Sequence, residues 1–418
     1  MKIGDRIRFF RIQQNKTQED LASGVISVSY LSKIENNQSL PSLEVVDMLC
    51  ERLGIRFIDE EEPTLLDELN DWYKMLVGGD KEEIEKLYPL MKEKSNTSKD
   101  STSLVYFMLF ELRYYLHLRK MNEAKKSLDK LHEISDIFTE DLNYYLSKFS
   151  GLFHYIEEKY SEAYDFYKKA ESILIRNVFE KWEEADLYYS LGLTSSQLWK
   201  ASLCINYTNQ ALAIYQAHYN YKRSAECQIL LGISYRRSNE FKKAEESYIL
   251  ADKIATTLNN ANIKGFIHHN LGYLYSIQGK TDLAIKHYEK SICFHEVENY
   301  KQTYPSIYSI IVAYYNNNDF KNGIKWVNKG FEKLVDAEDE EYYYHFKCYR
   351  YLMTEQTPEF EDFLKEKVIP FFEANKSFKY VADYSEILSL YYEKKYKYKQ
   401  ASFYLKVSNN ALKKISNI

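Results

Sequence analysis

The feature that most constrains this chain is a dipeptide that returns every forty residues: Leu191-Gly192, Leu231-Gly232 and Leu271-Gly272. Two copies are well formed. One reads Leu231-Gly232-x-x-Tyr235, then Phe241, Ala244, Tyr248 and Ala251; the other reads Leu271-Gly272-x-x-Tyr275, then Ala284, Tyr288 and Ser291. Weaker copies flank them. Gly151 with Tyr160, Ala163, Tyr167 and Ala170 is one, Leu112 with Tyr115 and Ala124 another. Ile311, Tyr314, Phe320, Gly323 and Gly330 make a third, and Tyr392, Tyr398 and Ala401 a fourth. Units around Trp72 and Ile84, and around Tyr349 and Phe363, follow from phase. Self-similarity at this period predicts stacked helix pairs, about nine of them, none able to bury its apolar face alone. The small residues let paired helices approach, and the aromatic ones fill the space between them, which accounts for 40 tyrosines without a stacking site. Only 13 Gly and 6 Pro occur in 418 residues. An all-β sandwich or barrel consumes more turn residues than that.

The pattern resembles the tetratricopeptide (TPR) repeat. The resemblance implies an all-α fold whose repeats wind into a right-handed superhelix with a concave inner surface. In such arrays the inner surface comes from positions two before, one before and two after the Leu of Leu-Gly. Here those are His269, Asn270 and Tyr273 in the best repeat, and Lys148 in an earlier one, with Arg113 equivalent to it. One turn further along lie Gln197, Arg236 and Asn316. Amide, cationic and apolar groups together suit an extended peptide: Asn pairs with backbone amides, a cation holds a carboxylate and apolar pockets take side chains.

Residues 1–58 differ. Ile3, Ile7 and Phe10 have helical spacing, and Asn15-Lys16 ends that helix. Thr17 caps a second helix, with Asp20 completing a weak capping box, and Ser27 caps a third in which Leu31 and Ile34 point inward. Pro41-Ser42 opens a fourth, closed by Gly54. The stretch Thr17-Gln18-Glu19-Asp20-Leu21-Ala22, followed by Ser29-Tyr30-Leu31-Ser32-Lys33-Ile34-Glu35-Asn36, resembles the Xre-type helix-turn-helix of Cro/repressor proteins. The resemblance implies a third helix lying in the major groove of DNA. Ser29, Tyr30, Ser32 and Lys33 would then reach bases or phosphates, with Asn36 just beyond and Gln18 bonding a phosphate. The acidic run Asp59-Glu60-Glu61-Glu62-Pro63 reads as a linker over residues 59–66, which leaves 67–418 to the repeats.

A head of this type on TPR repeats is similar to the RNPP peptide-pheromone regulators, and the length favours their NprR-like branch. The resemblance implies a quorum-sensing transcriptional regulator in which a short re-imported peptide enters the groove and changes how the subunits of a homodimer or higher oligomer present their heads to operator DNA. It also implies that Asn270 clamps the peptide backbone. A rival implied by the same resemblance is an adaptor whose repeats bind and inhibit a phosphorelay response regulator, either in place of gene regulation or as a second function.

Charge agrees with a small DNA-binding part. Residues 1–58 carry a net charge of +1 and the remainder −6. The start of the chain lacks the apolar core of a signal peptide, and the longest apolar run, Leu104 to Phe110, is far short of a membrane span. Five scattered cysteines without a CxxC pair read as buried, reduced thiols of a cytoplasmic protein. There is no HExxH, GxSxG or phosphate-binding loop, and the nine His lack metal spacing. Hence no enzyme, cofactor or metal is expected. His154 lies near the groove and reads as packing between helices.

Overall fold

The computed structural model describes residues 2–55, 63–79, 81–98, 100–296, 300–334, 339–355 and 357–416. Among them every regular element is helical. The head contains α1 (Ile3–Gln13), α2 (Gln18–Ala22), α3 (Val28–Glu35) and α4 (Leu43–Leu53). Its boundaries follow from local chemistry. Thr17 and Asp20 cap α2 reciprocally. Ser27 and Ser42 each accept a backbone N–H at the start of α3 and α4. Gly54 ends α4 at φ 69°, the left-handed conformation that glycine adopts without strain. Ile7, Leu21, Leu31, Ile34 and Leu49 are fully buried between these helices. Gly4 lets α1 approach α3 closely: a Cβ there would lie 2.1 Å from the Ile34 carbonyl oxygen.

A helix begins at Pro63, so the run 59–62 lies outside the described residues and only residues 63–66 of the expected linker are seen, already helical. The chain divides into two compact units, residues 1–197 and 198–418. In the first, the head is followed by Pro63–Gly78, Lys81–Thr97, Ser101–His117, Met121–Glu133, Glu140–Ile156, Tyr160–Leu174 and Lys181–Gln197. The second opens with Ala201–Ala217, Tyr221–Arg237, Phe241–Thr257, Ala261–Ile277 and Thr281–His295. It continues through Tyr304–Asn316, Phe320–Lys333 and Glu340–Met353 to Phe378–Lys394 and Tyr398–Ser416, with shorter helical segments between Pro358 and Ala374.

The Leu-Gly signature has a direct packing cause. A Cβ on Gly232 would fall 2.4 Å from the Tyr248 ring, and one on Gly272 would fall 2.6 Å from that of Tyr288. Gly151 meets Tyr167 in the same way at 2.7 Å. Glycine on the first helix and tyrosine on the second are therefore one feature, the ring filling the space a side chain would occupy. The alanines beside them, Ala163, Ala244 and Ala284, are 0% exposed.

The turns explain the scarcity of glycine. Trp199, Tyr219, Asn239, Asn259 and Gly279 all have positive φ and recur every twenty residues, so each turn spends a single left-handed residue. Asn tolerates that conformation; Trp199 and Tyr219 adopt it against a cost of about 1–2 kcal/mol each. The cysteines are all free, and four are buried, but Cys293 is exposed, contrary to expectation. Its position near the end of Thr281–His295 faces away from the core that Ile285, Tyr288 and Ile292 build. His154 does pack, stacked on Phe166 at 5.2 Å.

Candidate functional site: a DNA-binding head and a peptide-binding face

On α3 the inward and outward sides are cleanly divided. Leu31, Ile34 and Glu35 are buried; Ser29 and Lys33 are exposed, and Tyr30 and Ser32 half-buried. The Ser29 and Ser27 hydroxyls are 3.2 Å apart. Asn36 ends the helix, its Nδ2 donating to the Ser32 carbonyl at 2.8 Å. Gln18 is placed differently from expectation: its Nε2 donates to Glu35 Oε2 at 2.7 Å. Glu35 is 1% exposed and also holds Arg11, accepting from Nε at 2.6 Å and Nη2 at 2.9 Å. The amide of Gln18 thus ties the start of α2 to α3 rather than standing free for a phosphate.

The same accounting applies to the other cations of the head. Arg6 is buried, Arg8 pairs with Asp136, Lys16 donates to the Arg52 carbonyl and Arg52 to that of Leu21. Lys33 is exposed and its ammonium makes no bond within the chain among the described residues. It is the cation that α3 offers to a groove.

In the second unit, Arg236 and Tyr273 are brought together. The guanidinium carbon lies 4.4 Å from the centre of the Tyr273 ring, which is 37% exposed. The Arg236 Nε is buried without an acceptor among the described residues. Burial pushes the Tyr248 hydroxyl up to about 12, with the nearby charge of Arg236 opposing the rise. His269 Nδ1 lies 2.9 Å from the Ser306 hydroxyl, which donates onward to Ser291 at 3.0 Å. Burial, then the nearby His295 and Arg236, push His269 down to about 4, so it is neutral at pH 7. Asn270 Nδ2 donates to the Phe266 carbonyl at 2.9 Å, leaving its side-chain carbonyl oxygen as the outward group. Asn316 is exposed at the end of Tyr304–Asn316, and no contact joins it to this group.

In the first unit two of the expected ligand residues are engaged by the protein. Arg113 Nη2 donates to the Leu76 carbonyl at 2.9 Å. Lys148 is a correction: it is 4% exposed, with its ammonium 2.5 Å from Glu183, 2.9 Å from Asp186 and 3.1 Å from the Tyr73 hydroxyl. A lysine stem buried this deeply needs counter-ions, and helix Lys181–Gln197 supplies two. Burial alone would push the ammonium down, but Asp186 and Glu183 hold it above the usual lysine range. Gln197 is exposed at the end of its helix.

A helix-turn-helix family model matches residues 7–59. The transcriptional activator NprA of Geobacillus stearothermophilus is 43% identical over 406 residues, covering 95% of this chain and all of NprA. The chain belongs to the NprA family of transcriptional regulators. It is an RNPP-type regulator, a helix-turn-helix followed by helical repeats. The apo form of the quorum sensor NprR from B. thuringiensis shares the fold, with a TM-score of 0.71 at 19% identity over 84% of this chain and 99% of that one. NprR in complex with its cognate peptide NprX matches with a TM-score of 0.61 at 20% identity, over 85% and 99%.

For an NprA-family protein, the sequence marked out the helix-turn-helix and gave no sign of what ties its helices together. Glu35 stands inside the quoted motif, yet its role as the acceptor for Arg11 and Gln18 has no local signature. Ser306, the partner of His269, lies one repeat downstream and gave none either. No helix among the described residues is long and apolar enough to cross a membrane.

Proposed function

We propose that this cytoplasmic regulator reads operator DNA with Ser29, Tyr30, Ser32, Lys33 and Asn36, and holds a short linear peptide on the face that carries Arg236, His269, Asn270 and Tyr273. The observation that carries the peptide part is the Arg236–Tyr273 stack beside Asn270. A cation pre-oriented on a half-exposed ring and an outward amide oxygen stand on adjacent first helices. A peptide carboxylate accepts from Arg236 and a backbone N–H donates to Asn270. Because α3 offers one uncommitted ammonium, a single head binds DNA weakly, and two copies on half-sites about 34–36 Å apart supply the affinity. Peptide binding acts by preferring one arrangement of the heads; a tenfold preference is about 1.4 kcal/mol.

The test uses synthetic peptides cut from a secreted precursor encoded beside the gene. Asn270→Ala and Arg236→Gln abolish the peptide response while operator binding persists; Lys33→Ala with Tyr30→Ala removes operator binding while peptide affinity persists. Unchanged peptide affinity in both repeat variants overturns the assignment. The response-regulator partner implied by the NprR-like resemblance is a separate activity, read by a pull-down with and without peptide.

A further inference from the structure

Helix α1 does more than pack the head. Its outer side borders a half-open cavity of about 420 Å³ whose other walls are helices Lys81–Thr97, Ser101–His117 and Met121–Glu133 of the first repeats. We propose that this cavity is a second effector site, distinct from the peptide face, that takes a small uncharged amphipathic molecule and, when filled, holds the head against the repeats.

Size is the first argument. The volume lies within the ~300–1,000 Å³ of small-molecule pockets and far above what one water needs. Composition is the second. Phe9 and Ile12 of the head and Leu104, Phe107 and Met108 of the repeats supply apolar lining from both sides, while Gln13, Asn15 and Asn96 make part of it polar. The third is an orphaned polar atom. Ser95 lines the cavity, is 1% exposed, and its hydroxyl has no hydrogen-bond partner among the described residues. A buried hydroxyl left unpaired is costly, and a ligand with one polar end would satisfy it. Charge selects against ions. Lys92, Lys126 and Lys130 on the lining are balanced by Glu111, Glu123 and Glu133, and Glu111 already accepts from Tyr88 at 2.6 Å and Tyr115 at 3.1 Å.

Location gives the site its consequence. Beside it the head is fastened by Arg8 to Asp136, a pair whose side chains are 22% and 54% exposed. Exposed pairs of this kind contribute little. A molecule that touches Phe9 on one wall and Phe107 on the other binds the docked head and loses half its contacts when the head leaves, so it biases the equilibrium toward docking.

N-Phenyl-1-naphthylamine, a neutral fluorophore with one N–H, serves as the probe on the full chain. Fluorescence titration is expected to show one saturable site. Met108→Trp and Ser127→Trp, which fill the cavity, should each weaken it at least tenfold, and Ser95→Ala a few-fold. Ser127 is half-exposed, so its variant carries the test should Met108→Trp perturb folding, which the far-UV circular dichroism and melting curve report. Hydrogen exchange supplies the second reading: the probe should slow exchange in α1 and in Met121–Glu133 together. Absence of saturable binding, or binding that survives both tryptophans and therefore sits elsewhere, overturns the site. Binding lost with the tryptophans but without added protection of α1 overturns the docking role.

Discussion

Replacing Lys148 with methionine separates two accounts of that residue: ligand of the peptide, or counter-ion inside the first unit. Methionine keeps most of the stem and removes the charge, so the change creates little cavity. What remains is Glu183, 2% exposed, and Asp186, their carboxylates having lost the ammonium that stood 2.5 Å and 2.9 Å away. Breaking a buried ion pair from one side costs about 3–5 kcal/mol. Protonation of one carboxylate relieves part of that, so a loss of about 3 kcal/mol is expected. Trp182, whose ring centre is 5.9 Å from the Lys148 ammonium, reports the event by its fluorescence in urea. With a slope of about 1–3 kcal/mol per molar urea, the midpoint falls by about 1–3 M. The pair also has a pH signature. Asp186 and Glu183 hold the folded-state ammonium above its usual range despite burial. Its contribution is therefore complete below the unfolded value of about 10.4 and fades as pH rises through the folded value. The stability difference between wild type and variant should shrink as pH rises through the folded-state value of Lys148. Peptide affinity, measured where both proteins are folded, should be unchanged. Wild-type stability combined with a large loss of peptide affinity would refute the counter-ion account and return Lys148 to the ligand.

Glu35→Ala removes the buried acceptor of Arg11 and Gln18 and should cost the head about 2–3 kcal/mol, abolishing operator binding in a gel shift while the repeats still bind peptide. Tyr219→Asn places a residue that tolerates the left-handed conformation at φ 55° and, because the ring is 75% exposed, should stabilise the second unit by up to ~1 kcal/mol in urea denaturation. His269 and His268 are both pushed down to about 4, chiefly by burial. Between pH 6.5 and 4 the unfolded chain binds more protons than the folded one, so stability should fall as pH is lowered through that window. His269→Gln should flatten the slope, and an unaltered slope would contradict the assignment.

What was legible in the sequence is what local geometry enforces. The caps at Thr17, Ser27 and Ser42 depend on residues two or three positions away, and the structure shows them where the residue types put them. The repeat phase was legible for a related reason: each Gly–Tyr contact sits within one helix pair and recurs at fixed spacing. The turns were not, because Trp199 and Tyr219 occupy a conformation that their own preferences oppose; at Tyr219 the turn is closed by backbone bonds, the Asn220 N–H donating to the Tyr215 carbonyl at 2.9 Å. The site residues fall between these cases. Periodicity correctly places Lys148 and His269 on first helices, but not what the next first helix presents to them. Glu183 lies 35 residues beyond Lys148, and Ser306 lies 37 beyond His269. An acid one repeat downstream of an inward lysine was the available signal, and its strength is electrostatic rather than local. The head obeys the same logic: of the described cations there, Arg8, Arg11, Lys16 and Arg52 bind protein acceptors, so a net charge of +1 overstates what faces outward. Operator affinity should then depend on salt with a shallow slope, near that of one neutralised phosphate per head from Lys33. A slope several times steeper in a Lys33→Ala comparison would mean that Arg8 leaves Asp136 for the DNA.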